Sequence, residues 1–189
     1  MQTILKILMR IRPAFIASFL KKLLRIKRIL VSTSSGKFFI DPTSNFGNAI
    51  LTNVGYEPQL TDALKDLLKE GDTFLDIGAN EGYFSVLASM LVGISGKVIS
   101  IEPQSRLQGI LFRNISENAA YNIHVFQKAI SDSVGMATIF LIPDMNTGGS
   151  GMFQCTKYKN PTEVIPQTTL SELLSLLRLD RIKLMNNGY

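Results

Sequence analysis

Residues 71–103 read GDTFLDIGANEGYFSVLASMLVGISGKVISIEP, and the changes of pattern inside this stretch decide the fold. Residues 73–77 form a short apolar run, the signature of a strand covered on both faces. A glycine-containing turn follows. Residues 82–91 are then apolar over a helix's length, and residues 97–101 are a second short apolar run. Strand, turn, helix and strand at this spacing make one βαβ unit, which forces the two strands to run parallel.

Working outward, the alternation continues. Downstream, residues 105–121 read as a helix, 124–127 as a strand, 137–142 as a strand and 143–161, rich in Gly, Asn and Thr, as a long loop. Thr169 with Glu172 forms a capping box ahead of a helix over 170–179, and a further strand starts at 181–185. Upstream, residues 59–68 read as a helix that Gly71 ends, and 37–40 as a short strand stopped by Asp41 and Pro42. The expected fold is α/β, a Rossmann-like parallel sheet with helices on both faces.

The turn after the first strand of the unit is Asp76-Ile77-Gly78-Ala79-Asn80-Glu81-Gly82. In such a sheet this turn is where a nucleotide sits: glycines let the backbone approach the ligand, and the next helix offers free N–H groups. A dinucleotide fold would show GxGxxG to seat a pyrophosphate, whereas the spacing here is DxGxxxG, which argues against an NAD-type oxidoreductase. S-adenosylmethionine has no phosphate, but it carries a sulfonium and an amino acid end whose ammonium a carboxylate near the turn can meet. Asp76 is the candidate to organise that end, through water. Glu102 closes the second strand, where an acid can accept hydrogen bonds from both ribose hydroxyls of an adenosine.

Composition narrows the classes. The chain has 189 residues, 46% of them hydrophobic and 19% charged, which suits one packed domain plus an extension. The net charge of +5 is misplaced as a clue to nucleic acid. Lys6, Arg10, Arg12, Lys21, Lys22, Arg25, Lys27 and Arg28 lie in the first 31 residues with no acid among them, while the rest of the chain has 12 basic against 15 acidic residues. A nucleic-acid partner is therefore not expected. A lone cysteine, Cys155, and a lone histidine, His124, exclude a disulfide within the chain and a His/Cys metal cluster; no metal is expected, and a reducing cytoplasm fits. His124, at the start of a strand, is assigned no role.

The first 31 residues read as a basic amphipathic helix, kinked near Pro13. From there Ile16, Phe19, Leu20, Leu23, Ile26 and Leu30 share one face, and Lys21, Lys22, Arg25 and Arg28 fall largely on the other. No uninterrupted apolar run approaches the ~18 residues of a membrane span, and no small-residue cleavage site follows the apolar stretch. Three readings stay open: a helix that docks on the domain or a second subunit, peripheral attachment to anionic lipid, and an organellar targeting peptide. Residues 32–36, Ser-Thr-Ser-Ser-Gly, read as a linker, dividing the chain into 1–36 (helix and linker) and 37–189 (cofactor-binding domain).

Three stretches together resemble the FkbM family of class I S-adenosylmethionine-dependent methyltransferases: residues 71–103, the upstream FFIDPTSNFGNAILTNVGYEPQLTDAL (38–64) and the downstream NISENAAYNIHVFQKAISDSVG (114–135). The resemblance covers about residues 37–189. It implies S-adenosylmethionine as cofactor and O-methylation of a hydroxyl on a sugar, polyketide or similar small molecule. Carried over position by position, it implies that Asp76, Gly78, Ala79, Asn80 and Gly82 form the cofactor loop. Glu102 becomes the ribose acid, and Ala129 with Ile130 the segment beside adenine. Ser131 and Asp132 stand next to that segment, where a plain turn is the competing reading.

The family's next motif reads approximately KIDVEG, with its two acids near the transferred methyl. This chain reads RIKLMNNGY. Laying Lys183 and Gly188 on the motif puts Met185 at the Asp and Asn187 at the Glu, so no catalytic residue is assigned. The expectation is an incomplete, C-terminally truncated member with negligible turnover. The competing expectation is a non-catalytic, membrane-associated binding protein that keeps the cofactor-binding half. Neither the oligomeric state nor the acceptor is legible.

Overall fold

The computed structural model describes residues 20–21, 23–52, 55–142, 150–152, 161–179 and 181–187. It opens on a hairpin, Ile29–Thr33 (β1) and Gly36–Ile40 (β2), antiparallel with Ile29 opposite Ile40 and Thr33 opposite Gly36. This corrects two expectations, the helix running on through residue 31 and the linker at 32–36. Ile-Leu-Val-Ser-Thr is rich in β-branched residues, and Gly36 (φ 127°) supplies a backbone conformation that a side chain would resist. The hydroxyl of Thr33 closes the turn, accepting from Ser35 N–H at 3.1 Å and donating to Gly36 O at 3.0 Å. Residues 1–19 and 22, which carry most of the expected basic helix, lie outside the described residues.

Next come Asn45–Leu51 (α1), a short helix the sequence did not announce, and Pro58–Leu67 (α2). The βαβ series follows as expected: Thr73–Ile77 (β3), Tyr83–Val92 (α3), Lys97–Ile101 (β4), Ser105–Glu117 (α4) and Ile123–Phe126 (β5). Helix α4 stops four residues early, where Ala119 turns the chain at φ 49°. Ala129–Ile130 (β6), Gly135–Phe140 (β7), Thr162–Thr168 (β8), Leu170–Leu177 (α5) and Leu184–Asn187 (β9) complete the described elements.

The central sheet is parallel throughout, in the order β5-β4-β3-β9. This is the 3-2-1-4 order of a doubly wound sheet, and its reversal between β3 and β9 makes a crevice at the carboxyl ends of those strands. Period-two alternation assigns the faces. Phe74, Val98 and Ile123 pack with α3, α4 and the β1–β2 hairpin, while Leu75, Ile99 and Ile101 pack with Leu173 of α5 and its neighbours. Helices therefore cover both faces, as the sequence implied. Helix α3 is buried at eight of its ten positions, which explains why its sequence is apolar nearly all round.

Strands β6-β8-β7 form a separate sheet with its own small core of Ala129, Ile139 and Ile165. The capping box before α5 forms on one side: Thr169 Oγ1 accepts from Glu172 N–H at 3.1 Å, but the Glu172 carboxylate accepts instead from Thr168 Oγ1 at 3.0 Å. Thr169→Ala is expected to lower stability by about 1 kcal/mol, the usual cost of a lost N-cap, read as a shift in urea midpoint with an unchanged slope. A loss below roughly 0.3 kcal/mol would mean that the Thr168–Glu172 bond alone holds the helix start.

Candidate cofactor site

Strand β3 delivers Asp76 to the crevice, and the chain then turns through three left-handed residues, Gly78 (φ 80°), Asn80 (φ 51°) and Gly82 (φ 87°). Asparagine tolerates that region better than most side chains, and glycine adopts it freely. Gly82 has a second reason to be glycine, since a Cβ there would stand 2.5 Å from Leu111 Cδ1 on α4. The N–H groups of Gly78 and Ala79 donate to Ile101 O at 2.8 and 2.9 Å, so the turn is pinned to the end of the neighbouring strand.

Asp76 is 1% exposed, and both of its oxygens already accept a bond: Oδ2 from Ser85 Oγ at 2.5 Å and Oδ1 from Asn186 Nδ2 at 2.9 Å. Ser85 in turn accepts from Ser100 Oγ at 2.7 Å. Burial pushes the Asp76 carboxyl above the usual range, against the pull of the Ser85 and Asn186 bonds. Its place is beneath the turn, tying β3, β4, α3 and β9 together at the point where the strand order reverses.

Glu102 ends β4 and is also buried, 2% exposed. Its carboxylate accepts from Asn80 N–H at 2.7 Å and from Gln104 N–H at 2.9 Å, so it is braced between the turn and the start of α4. Burial raises its pKa, and the two N–H bonds oppose the rise. The Gln104 side chain also hydrogen-bonds to this carboxylate and lowers its pKa. Asp76 supports the turn from below and Glu102 joins it from the side, so the sequence-predicted residues converge on one place.

A cavity of about 710 Å³ opens above this turn. Its wall includes Gly78, Ala79, Asn80, Glu102, Ala129 and Ile130, which accounts for every expected cofactor residue except Asp76 and Gly82. Ser131 and Asp132 are not on that wall; the hydroxyls of Ser131 and Ser133 both donate to Asp132 Oδ1, and the segment is a turn into β7. His124 is exposed on the edge strand β5, away from the cavity.

Six further contributors to the site were not legible in the sequence. Tyr56 and Glu57, just before α2, form part of the wall, as do Asn186 and Asn187 at the end of β9. Arg28, before β1, forks onto Glu81 of the turn, with Nη1 2.8 Å from Oε2 and Nη2 3.0 Å from Oε1. Asn114 of α4 binds the same turn from the other side, donating to Glu81 O at 2.7 Å while it accepts from Phe39 N–H at 2.7 Å. No spacing within one segment signals these contacts, because each depends on tertiary packing. Among the described residues no group of His, Cys, Asp and Glu could hold a metal ion, and no helix is long and apolar enough to cross a membrane.

Residues 44–132, from the start of α1 through the turn, Glu102 and β6, match the sequence model of the protein-L-isoaspartate(D-aspartate) O-methyltransferase family. The fold is that of a class I methyltransferase. S-adenosylmethionine is the cofactor that this match indicates. Among solved structures, the chain is similar to a protein-L-isoaspartate O-methyltransferase (27% identity, 38% of this chain and 23% of that one, TM-score 0.35). It is also similar to a SAM-dependent methyltransferase from Aquifex aeolicus (26%, 41% and 44%, TM-score 0.34) and to a SAM-dependent O-methyltransferase from Thermotoga maritima (16%, 57% and 52%, TM-score 0.37). The chain thus spans between 23% and 52% of those proteins' own lengths. No curated protein matches.

Proposed function

We propose that this class I methyltransferase domain binds S-adenosylmethionine in the 710 Å³ cavity and serves O-methylation of a hydroxyl on a sugar, polyketide or similar small molecule, as in the FkbM family that its sequence resembles. One observation carries the cofactor half of this reading. The left-handed turn and the braced Glu102 carboxylate stand on one wall, joined by the 2.7 Å bond from Asn80 N–H. That arrangement suits an adenosine: Glu102 accepts from the ribose hydroxyls, Ala129 and Ile130 offer an apolar edge to the base, and no phosphate cradle of the GxGxxG kind is present in the turn.

The cavity volume falls within the usual range for small-molecule sites, about 300–1,000 Å³. The bound cofactor would supply an electrophilic methyl group on a sulfonium. The chain's own residues bind and orient: Asp76 holds the turn and β9 in register from below, and the Glu81–Arg28 pair holds it from the N-terminal side.

Of the three readings of the N-terminal basic segment, the described part favours docking on the domain. Lys21 pairs with Asp41, and Arg28 with Glu81. Asp41, though burial pushes its carboxyl up, is held below the usual range by its bonds to Lys21 and Thr43.

Calorimetric titration with S-adenosylhomocysteine and, in parallel, with NAD tests the reading, with binding of the first only as the expected result. Glu102→Ala should weaken S-adenosylhomocysteine by ~1–3 kcal/mol, the range for hydrogen bonds to a charged acceptor. Equal affinity in a folded variant would remove Glu102 from the site. Transfer of labelled methyl to a panel of hydroxylated acceptors, set beside an isoaspartyl peptide and an rRNA fragment, tests the acceptor class.

A further inference from the structure

We propose that Glu57 is the carboxylate that meets the α-ammonium of the cofactor's amino acid end, a role that rests on the cofactor reading above and that no spacing in the sequence assigns. Three independent features lead to it. The first is conformational. Glu57 has φ 42° and ψ 68°, a left-handed backbone that a glutamate rarely adopts, and such strain collects where a side chain must be aimed. The second is chemical. Glu57 is the residue before the first turn of α2, a position where side chains commonly cap the helix, yet its side chain makes no cap bond. It is exposed and lies on the cavity wall.

The third feature is position. Tyr56, its chain neighbour, packs on Tyr83 and Phe84 with ring centroids 5.4 and 5.7 Å apart, and those two residues open α3 directly after the turn. Glu57 therefore stands on the Tyr83–Phe84 side of the turn, whereas Glu102, bonded to Asn80 and Gln104, stands on its α4 side. With the ribose on Glu102, we place the amino acid end on the Glu57 side of the turn. The acid expected at that end from sequence, Asp76, is buried with a donor on each oxygen, whereas Glu57, whose carboxylate accepts from the Tyr56 hydroxyl, is exposed on the wall. The fields agree: burial and then the Glu57 carboxylate push the Tyr56 phenol up, and Glu57 also contributes to the rise at Asp76.

The test compares two ligands that share the adenosine and differ in the amino acid end: S-adenosylhomocysteine carries it, and 5′-methylthioadenosine lacks it. Glu57→Gln should weaken S-adenosylhomocysteine by about 10-fold or more, the loss of one charge-assisted hydrogen bond, and leave methylthioadenosine unchanged. Glu57→Gly guards against misfolding, since glycine suits φ 42° and serves well as an N-cap; it should show the same selective loss with an equal or higher unfolding temperature. An unchanged S-adenosylhomocysteine affinity in either folded variant overturns the proposal. An equal loss for both ligands also overturns it, because the ammonium would not be what Glu57 meets. If the unaltered chain binds neither ligand, the cofactor reading itself fails, and that result is separate from the other two.

Discussion

Arg28→Ala is expected to cost this domain about 3 kcal/mol of stability, more than any single hydrogen bond in the turn. Glu81, 3% exposed, holds a charge inside the fold, and the fork from Arg28 is the ion pair that compensates it. Removing one partner of a buried pair leaves an uncompensated charge, which costs ~3–5 kcal/mol, whereas replacing both by apolar groups is often neutral. Arg28 itself is 19% exposed, so water can reach part of the vacated space and the expected loss sits at the low end of that range. The guanidinium also donates to Phe39 O at 3.2 Å, which links the turn to β2.

Two measurements check this expectation. Urea unfolding should show Arg28→Ala well below the unaltered chain, and the double variant Arg28→Met with Glu81→Leu should recover at least half of the loss. Cofactor affinity should fall with Arg28→Ala, because Glu81 lies between Asn80 and Gly82 in the turn. A loss under 1 kcal/mol, with no coupling in the double-mutant cycle, would show that the pair is effectively solvated.

The parts of the fold that the sequence revealed are those in which a local period and a special residue agree. Residues 73–101 combine two apolar strands, an apolar helix and a turn whose glycines are required by φ, so the first unit, its turn and the acids at both strand ends could be placed without coordinates. Hairpin β1–β2 shows the opposite case. Ile26 and Leu30 continue a helical period set by the preceding residues, and that period hid a β-branched run followed by a glycine turn. Strand β8 holds Pro166, a residue that counts against a strand interior. In the structure β6 pairs only with Gln167 and Thr168, so Pro166 has a neighbour on one side only.

The same division holds at the site. Gly78, Asn80 and Glu102 belong to one contiguous motif, and their roles follow from geometry that the motif itself builds. Arg28, Glu57 and Asn186 come from three separate segments, brought to the turn by the hairpin, by the aromatic cluster around Tyr56 and by β9 pairing with β3. Their side chains are ordinary in sequence. Only the packing makes them part of the site, and the left-handed φ of Glu57 cannot be read from residue type.

Gly47→Ala should be as damaging as the loss of Arg28, for a steric reason that the site inherits. Gly47 is in the first turn of α1, where its N–H donates to the capping Ser44 Oγ at 2.9 Å. A Cβ on it would stand 1.8 Å from Asp41 O and 2.7 Å from Asp41 C, both backbone atoms, with no flexible side chain able to give way. Nor can the Asp41 carbonyl retreat easily. It accepts from Ser44 N–H at 3.1 Å and Ser44 Oγ at 2.9 Å, and the Asp41 carboxylate is fixed by Thr43 N–H at 2.9 Å, by Thr43 Oγ1 at 2.7 Å and by Lys21. Overpacking of this kind costs ~1–3 kcal/mol and sometimes more, and a clash with pinned backbone belongs at or above the top of that range. The strain would not stay local. Phe46, next in the chain, meets Tyr56 edge-on at 4.9 Å, so a shifted α1 moves the residue that carries Glu57 and weakens the cofactor as well. Gly109→Ala is the matched control, the same substitution in α4 with nothing within 4 Å of the new methyl; there alanine should be neutral or stabilise by up to about 1 kcal/mol through its higher helix propensity. Unfolding temperatures of the two variants, with S-adenosylhomocysteine titrations on each, decide the matter. Gly47→Ala as stable as Gly109→Ala would mean that the Asp41–Ser44 turn yields freely and does not hold α1 in place.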